Sequence, residues 1–203
     1  MRMSTRIVAA SVGILAGLGS IEHGVFEILQ GNIATSGFFF SAIGYPCEPG
    51  TSWNACEPAI SIFQNMLIIG ILTIIGSLLT VTWSIVFLHR KWGGVGLILL
   101  SIAQLLCGGG FYPPVIGIIG GLTGLQITRP LKRKTDKVTY SLAKLWPWPL
   151  IVLIGWVVVQ FPLGIYNNEL MISLMRINLI LVLGSLALSI ISAYAQDAIR
   201  SGS

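Results

Sequence analysis

Charged side chains are scarce. Asp, Glu, Lys and Arg make up 9% of the 203 residues, against about 25% in a typical soluble domain. Twelve Lys/Arg and seven Asp/Glu are too few to cover the surface of a soluble fold of this size. Histidine is limited to His23 and His89, one near each end of different apolar segments, so the two cannot clamp one haem. Cysteine is limited to Cys47, Cys56 and Cys107, which excludes a disulfide-dense scaffold. No lysine falls in the middle of an apolar segment, which excludes a retinal-type Schiff base. The HExxH metalloprotease signature, the P-loop and the serine-hydrolase elbow are absent. Gly108-Gly109-Gly110 has no strand before it and no Lys-Ser/Thr after it, so it reads as a helix end and turn.

What is abundant is apolar surface and glycine. Apolar residues reach 54%, mean hydropathy is +0.86, and 24 residues are glycine. Six apolar segments stand out, at about residues 7–30, 60–88, 94–111, 115–128, 147–166 and 170–194. A membrane helix needs about 20 residues, so four segments qualify on length. The third and fourth are short and are separated by Tyr112-Pro113-Pro114, read as a turn that neither helix continues through; they are two short or tilted spans, which charge placement favours, or one span plus a re-entrant loop. The expected fold is therefore all-α: a polytopic transmembrane bundle of six spans, the third and fourth short. Residues 1–128 form a four-span bundle with an outer loop at 31–59. Residues 129–145 form a basic cytoplasmic linker, irregular rather than structured, and 146–203 a two-helix hairpin.

With six spans and both termini on one side, every Lys and Arg except Arg176 falls on that side. The positive-inside rule makes it cytoplasmic, in the cell membrane. The net charge of +5 is then a topology signal with some attraction to anionic lipid, and nucleic acid is not an expected partner. Gly13 and Gly17 in the first segment, and Gly117/Gly121 and Gly120/Gly124 in the fourth, have the small-residue spacing that lets membrane helices approach closely. The first segment runs on into Glu22, His23 and Glu27 without a clear cleavage site, and reads as a retained span.

The outer loop repeats a Cys-Glu-Pro triplet, at Cys47-Glu48-Pro49 and Cys56-Glu57-Pro58. On the oxidising side of a membrane a Cys47–Cys56 disulfide is expected. A metal held by Cys47, Glu48, Cys56 and Glu57 is the sharper reading, but the spacing matches no zinc template and no histidine lies nearby. No cofactor or metal is expected. Cys107 reads as a small buried apolar residue, and Phe38-Phe39-Phe40 as a run that dips into the interface or covers helix ends.

Polar residues recur at similar depth, about 5–12 Å inside the predicted outer helix ends at 1.5 Å per residue. They are Glu22, His23, Glu27, Gln64, Asn65, Gln104, Gln160, Arg176 and Asn178, the candidate ligand or proton site. Ionisable groups at that depth usually face the bundle interior and pair. Arg176 is expected to pair with Glu22 or Glu27, and the layer serves either as a structural network or as a proton, cation or small-ligand site. The inner half offers only Ser and Thr, such as Thr73, Ser77 and Thr80, so no continuous polar route is visible, which counts against a channel or pump.

The segment Gly19-Ser20-Ile21-Glu22-His23-Gly24-Val25-Phe26-Glu27-Ile28-Leu29-Gln30-Gly31-Asn32 resembles one in a family of small uncharacterised prokaryotic multi-spanning membrane proteins. Gly108-Gly109-Gly110-Phe111-Tyr112-Pro113-Pro114 is similar to that family too. The resemblance covers about residues 1–128, carries no known activity, and draws attention to Glu22, His23 and Glu27. Three functions are expected from the sequence. The first is a non-catalytic subunit or scaffold of a larger membrane assembly, with other membrane subunits or a second copy as partners. The second is a small-solute or ion/proton transporter using the outer polar layer. The third is an intramembrane enzyme or redox protein.

Overall fold

The computed structural model describes residues 2–42, 56–131 and 136–201, apart from the side chains of Phe161 and Arg176. The chain is mostly helical. Its elements are α1 (Met3–Gln30), β1 (Phe39–Ser41), β2 (Pro58–Ile60), α2 (Met66–Val86), α3 (Gly93–Leu106), α4 (Tyr112–Gly124), α5 (Lys137–Lys144), α6 (Trp148–Tyr166) and α7 (Asn168–Arg200). Four helical stretches are long and apolar enough to cross a membrane: Met3–Gln30, Met66–Val86, Lys137–Tyr166 and Ile177–Arg200. α3 and α4, at 14 and 13 residues, are each about 20 Å long. They fall short of the hydrocarbon thickness, as the sequence leads one to expect.

Three boundaries differ from expectation. α2 begins at Met66 rather than near residue 60, because Pro58–Ile60 pairs antiparallel with Phe39–Ser41 and Asn65 caps the helix, its side chain accepting from Ile68 N–H at 3.1 Å. Tyr112-Pro113-Pro114 is not a turn between helices but the first turn of α4. Proline fits there because those N–H groups have no intrahelical partner in any helix. The basic linker is not wholly irregular either. It contains α5, capped by Asp136, whose carboxylate accepts from Thr139 N–H and hydroxyl at 3.1 and 2.8 Å.

The described residues divide into two compact units. Those between Ala9 and Leu125 form one, and those before Ala9 or after Leu125 the other. In the first unit the helices approach through glycine, as the small-residue spacing predicts. A Cβ on Gly24 would lie 3.0 Å from the Gly70 carbonyl, and one on Gly70 would lie 2.6 Å from the Gly24 carbonyl, so α1 and α2 meet backbone to backbone. α3 and α4 do the same at Gly94 and Gly121. Such approaches recover dispersion energy where no hydrophobic effect operates between helices. The β1–β2 pair packs onto this unit through Phe40, buried with Ala42, Ala59, Met66 and Ile69, while Phe38 and Phe39 stay exposed.

In the second unit α7 packs against α5 and α6. The first turn of α1 is capped from α7. The Asp197 carboxylate accepts from Ser4 N–H (3.0 Å), Thr5 N–H (2.8 Å) and Thr5 hydroxyl (2.7 Å). An anion at a helix N-terminus satisfies free amides and meets the positive end of the dipole. Beside it, Arg2 N–H donates to the Ile127 carbonyl and Arg2 Nη2 to the Pro130 carbonyl, at 3.3 and 3.2 Å.

Candidate functional site

The C-terminal half of α1 presents Ser20, His23 and Glu27 on one face, at the i, i+3, i+7 spacing of a helix stripe. All three are buried, Ser20 and Glu27 to 0% exposure. Facing them is the Gly108-Gly109-Gly110 turn between α3 and α4. Gly108 (φ +102°) and Gly110 (φ +75°) occupy the left-handed region that glycine enters without steric penalty. The lack of a side chain matters as much as the dihedral. A Cβ on Gly108 would lie 2.6 Å from Glu27 Oε1, and one on Gly110 would collide with the His23 ring. The turn is fixed by Gly109 N–H donating to the Gln104 carbonyl (2.8 Å) and by Ser20 hydroxyl donating to the Gly109 carbonyl (3.0 Å).

A fourth residue comes from the segment just before β2. Ala42 N–H donates to the Glu57 carbonyl at 3.0 Å, extending the β1–β2 ladder by one residue. Gln30 Nε2, at the end of α1, donates to the Ala42 carbonyl at 2.6 Å. These bonds carry Glu57 over the helix, where its Oε2 lies 3.1 Å from His23 Nε2. The Glu57 side chain is 46% exposed and that of His23 6%, so the pair joins the surface to the interior. Glu22, on the neighbouring face and only partly buried, lies within electrostatic range of Glu57 and His23.

Polar satisfaction is incomplete at this site. Among the described residues, neither oxygen of Glu27 has a hydrogen-bond partner within 3.5 Å, and His23 Nδ1 and Gln104 Oε1 have none either. Thr73, which faces Glu27, donates instead to the Cys107 carbonyl at 2.7 Å. Gln104 Nε2 donates to Ser77 hydroxyl at 2.9 Å, and Ser77 to the Thr73 carbonyl at 2.7 Å. Buried polar atoms are nearly always partnered, so four without a partner among the described residues, in and beside one cluster, set this part of the structure apart.

Of the residues expected to form the site, His23, Glu27 and Gln104 converge around the triglycine turn, with Glu22 alongside. Gln64 and Asn65 do not enter it. Gln64 is exposed, and Asn65 caps α2 and donates to the Asn32 side chain at 2.6 Å. Their expected depth rested on a span starting near residue 60. Gln160 and Asn178 belong to the other unit. There Gln160 Nε2 reaches the Trp156 carbonyl at 3.5 Å, and Asn178 accepts from the Trp156 indole at 2.6 Å. The Arg176 side chain and Cys47 lie outside the described residues, so the Arg176 pairing and the Cys47–Cys56 bridge fall there too. Cys107 is a free thiol, half-buried rather than buried. Among the described residues no group of three or more His, Cys, Asp or Glu is placed to hold a metal.

Glu57 and the triglycine turn are the members that the expected site lacked. The signal for Glu57 was the repeated Cys-Glu-Pro triplet. The turn's signal was its pairing with the Glu-His-Gly segment in the family resemblance, and the two segments meet at Gly110 and His23. The fold and site define a helical protein with membrane-length apolar helices and a buried histidine–carboxylate cluster at the end of its first helix. No family model, curated protein or solved structure matches the chain.

Proposed function

We propose that the protein is a multi-pass protein of the prokaryotic cell membrane that exchanges protons with the outer face at Glu27, by way of Glu57 and His23, in the manner of an ion or proton transporter. The observation that carries this reading is the fully buried Glu27 carboxyl with no partner on either oxygen. An ionised carboxylate there would lack the donors that offset its desolvation. The neutral acid is the form that the site accommodates. Close packing favours the smallest occupant: the triglycine turn approaches both Glu27 and His23 so nearly that a Cβ on Gly108 or Gly110 would meet them, and a proton needs no added space. Histidine suits the intermediate role because one ring nitrogen can accept a proton while the other donates one.

The inner side is drier. Ser77, Thr80 and Ser84 line one face of α2, and each hydroxyl donates to the carbonyl one turn back. Their protons are committed to carbonyls, so the cluster communicates with the outer face, and transport requires a rearrangement of the α3–α4 hairpin. Within the second unit Arg2 meets Ile127 and Pro130, and Ser4 and Thr5 meet Asp197, which supports an even number of crossings between these segments. The proposed count of six and the cytoplasmic side rest on the distribution of Lys and Arg. Purified protein in liposomes loaded with a pH dye tests the proposal. Acidification outside should produce influx that falls to background in Glu27→Gln and is slowed in His23→Phe. Equal influx in wild type and Glu27→Gln would reject the transport role.

A second reading, a subunit of a larger membrane assembly, is favoured by Gly155 on α6 and Gly184 on α7. Both are exposed, with nothing within 4 Å of where a Cβ would sit, which leaves a notch fit for a helix of another subunit. Gentle purification followed by mass spectrometry should then recover a partner in fixed stoichiometry.

A further inference from the structure

We infer that the β1–β2 ribbon is a lipid anchor, whose Phe38, Phe39, Ile62 and Phe63, together with Ile33, insert into the bilayer leaflet at which α1 ends and α2 begins. The inference rests on the membrane placement of α1 and α2, and not on proton exchange.

Three observations carry it. First, the ribbon satisfies its backbone while leaving large apolar side chains outside. The chain after α1 runs antiparallel to the chain before α2: Met66 N–H donates to the Ile33 carbonyl at 3.0 Å, Thr35 N–H to the Gln64 carbonyl at 3.3 Å and Ser61 N–H to the Phe38 carbonyl at 3.1 Å, and Phe39 pairs with Ile60. Ile62 N–H ties the ribbon to the end of α3 through the Leu106 carbonyl at 3.0 Å. Partnered amides lower the cost of leaving water. Phe40 turns inward, but Phe38, Phe39 and Ile62 are exposed at 47%, 68% and 58%, and Ile33 and Phe63 are exposed as well. Second, the ribbon stands at the level of the membrane boundary. α2 has 21 residues, about 32 Å of helix, which matches the roughly 30 Å hydrocarbon core. Its cap, Asn65, therefore marks the edge of that core, with Phe63 and Ile62 just beyond. Third, the exposed apolar surface is continuous with that of the helices. Ile68, Ile71, Ile75 and Leu78 are exposed along α2 at the i, i+3, i+7, i+10 spacing of one face. Leu29, exposed in the last turn of α1, leads on to Ile33.

Composition chooses lipid over a protein partner. Residues 31–42 and 58–66 contain no charged side chain, and their polar groups are those of Asn, Ser, Thr and Gln alone. A docking surface for a soluble protein has an apolar centre within a polar, charge-bearing rim. Exposed apolar patches mark contact with a protein or a membrane, and phenylalanine beside a bilayer gains by burying its ring at the boundary between head groups and acyl chains. Glu57 lies directly before β2, so the anchor also steadies the segment that reaches His23.

The test places the photocrosslinker p-benzoylphenylalanine at Phe39, Ile62 or Ile75 of the full-length chain in phosphatidylcholine nanodiscs. After irradiation, intact-mass and fragmentation spectra identify what each position has captured. Ile75, on the exposed face of α2, reports the membrane placement by itself. All three positions should gain the mass of one phospholipid, joined through its acyl chain, in comparable yield. Acyl adducts at Ile75 with none at Phe39 and Ile62, or with head-group adducts only, overturn the anchor and leave the membrane placement standing. No lipid adduct at Ile75 overturns the placement and the anchor with it. Irradiation in native membranes that joins Phe39 and Ile62 to protein instead of lipid also overturns the anchor. Both ribbon positions are exposed, and if one variant does not fold the other decides the matter.

Discussion

Gly110→Ala isolates the contact between the triglycine turn and His23. Two separable penalties are expected. The left-handed φ of +75° costs an L-residue about 1–2 kcal/mol. The new methyl would also strike the imidazole of His23, whose Nε2, Cδ2 and Cε1 are its three nearest neighbours. That ring is buried and is held from the other side by Glu57, so it cannot swing away without breaking the pair. Overpacking of this kind typically costs about 1–3 kcal/mol, which gives a total of about 2–5 kcal/mol. Gly31 supplies the control, because its φ is +81° but nothing lies within 4 Å of a Cβ there. Gly31→Ala should lose only the backbone component. Equilibrium unfolding in detergent should therefore show Gly110→Ala the more damaging by about 1–3 kcal/mol, with the excess vanishing in a His23→Ala background. Equal losses at the two glycines would refute the packing of the turn on His23.

Three further outcomes are expected. Asp197→Ala strips three hydrogen bonds from the start of α1 and should lower stability by about 1–3 kcal/mol in the same unfolding assay, whereas an effect under a few tenths would mean that the cap is idle. Intact-mass analysis before and after reduction should show a gain of two hydrogens for the proposed Cys47–Cys56 bridge, and alkylation of both thiols without reductant would exclude it. Cysteines placed at Ser4, Thr51, Thr135 and Ser203 should leave only position 51 labelled by an impermeant reagent on intact cells, and labelling at 135 would overturn the proposed topology.

The helices were legible wherever a long apolar run had little competition. The segment expected at 147–166 is α6, Trp148–Tyr166. The expectation failed at run ends, where composition and hydrogen bonding disagree. Ala59 and Ile60 continue the apolar run into α2, yet they serve the outer hairpin, and this displaced Gln64 and Asn65 from the polar layer. Proline misled in the other direction, because its meaning depends on whether it breaks a helix or begins one. The His23 and Glu27 face was legible from i,i+4 spacing alone. Its closure was not: Glu57 is 34 residues from His23 and arrives through β pairing, Ala42 and Gln30, contacts that no local periodicity records. The triglycine turn was visible as a turn, but its role as the close-packed wall against two ionisable side chains depends on tertiary approach.

Glu27 should hold a proton inside the bundle, and infrared spectra of wild type and Glu27→Gln in lipid bilayers at neutral pH test this directly. The wild type should carry a protonated-carboxyl C=O band that the variant lacks, and on transfer to heavy water that band should shift more slowly when His23 is replaced by Phe. A wild-type spectrum without the band, with the variant losing an ionised-carboxylate band instead, would contradict the account.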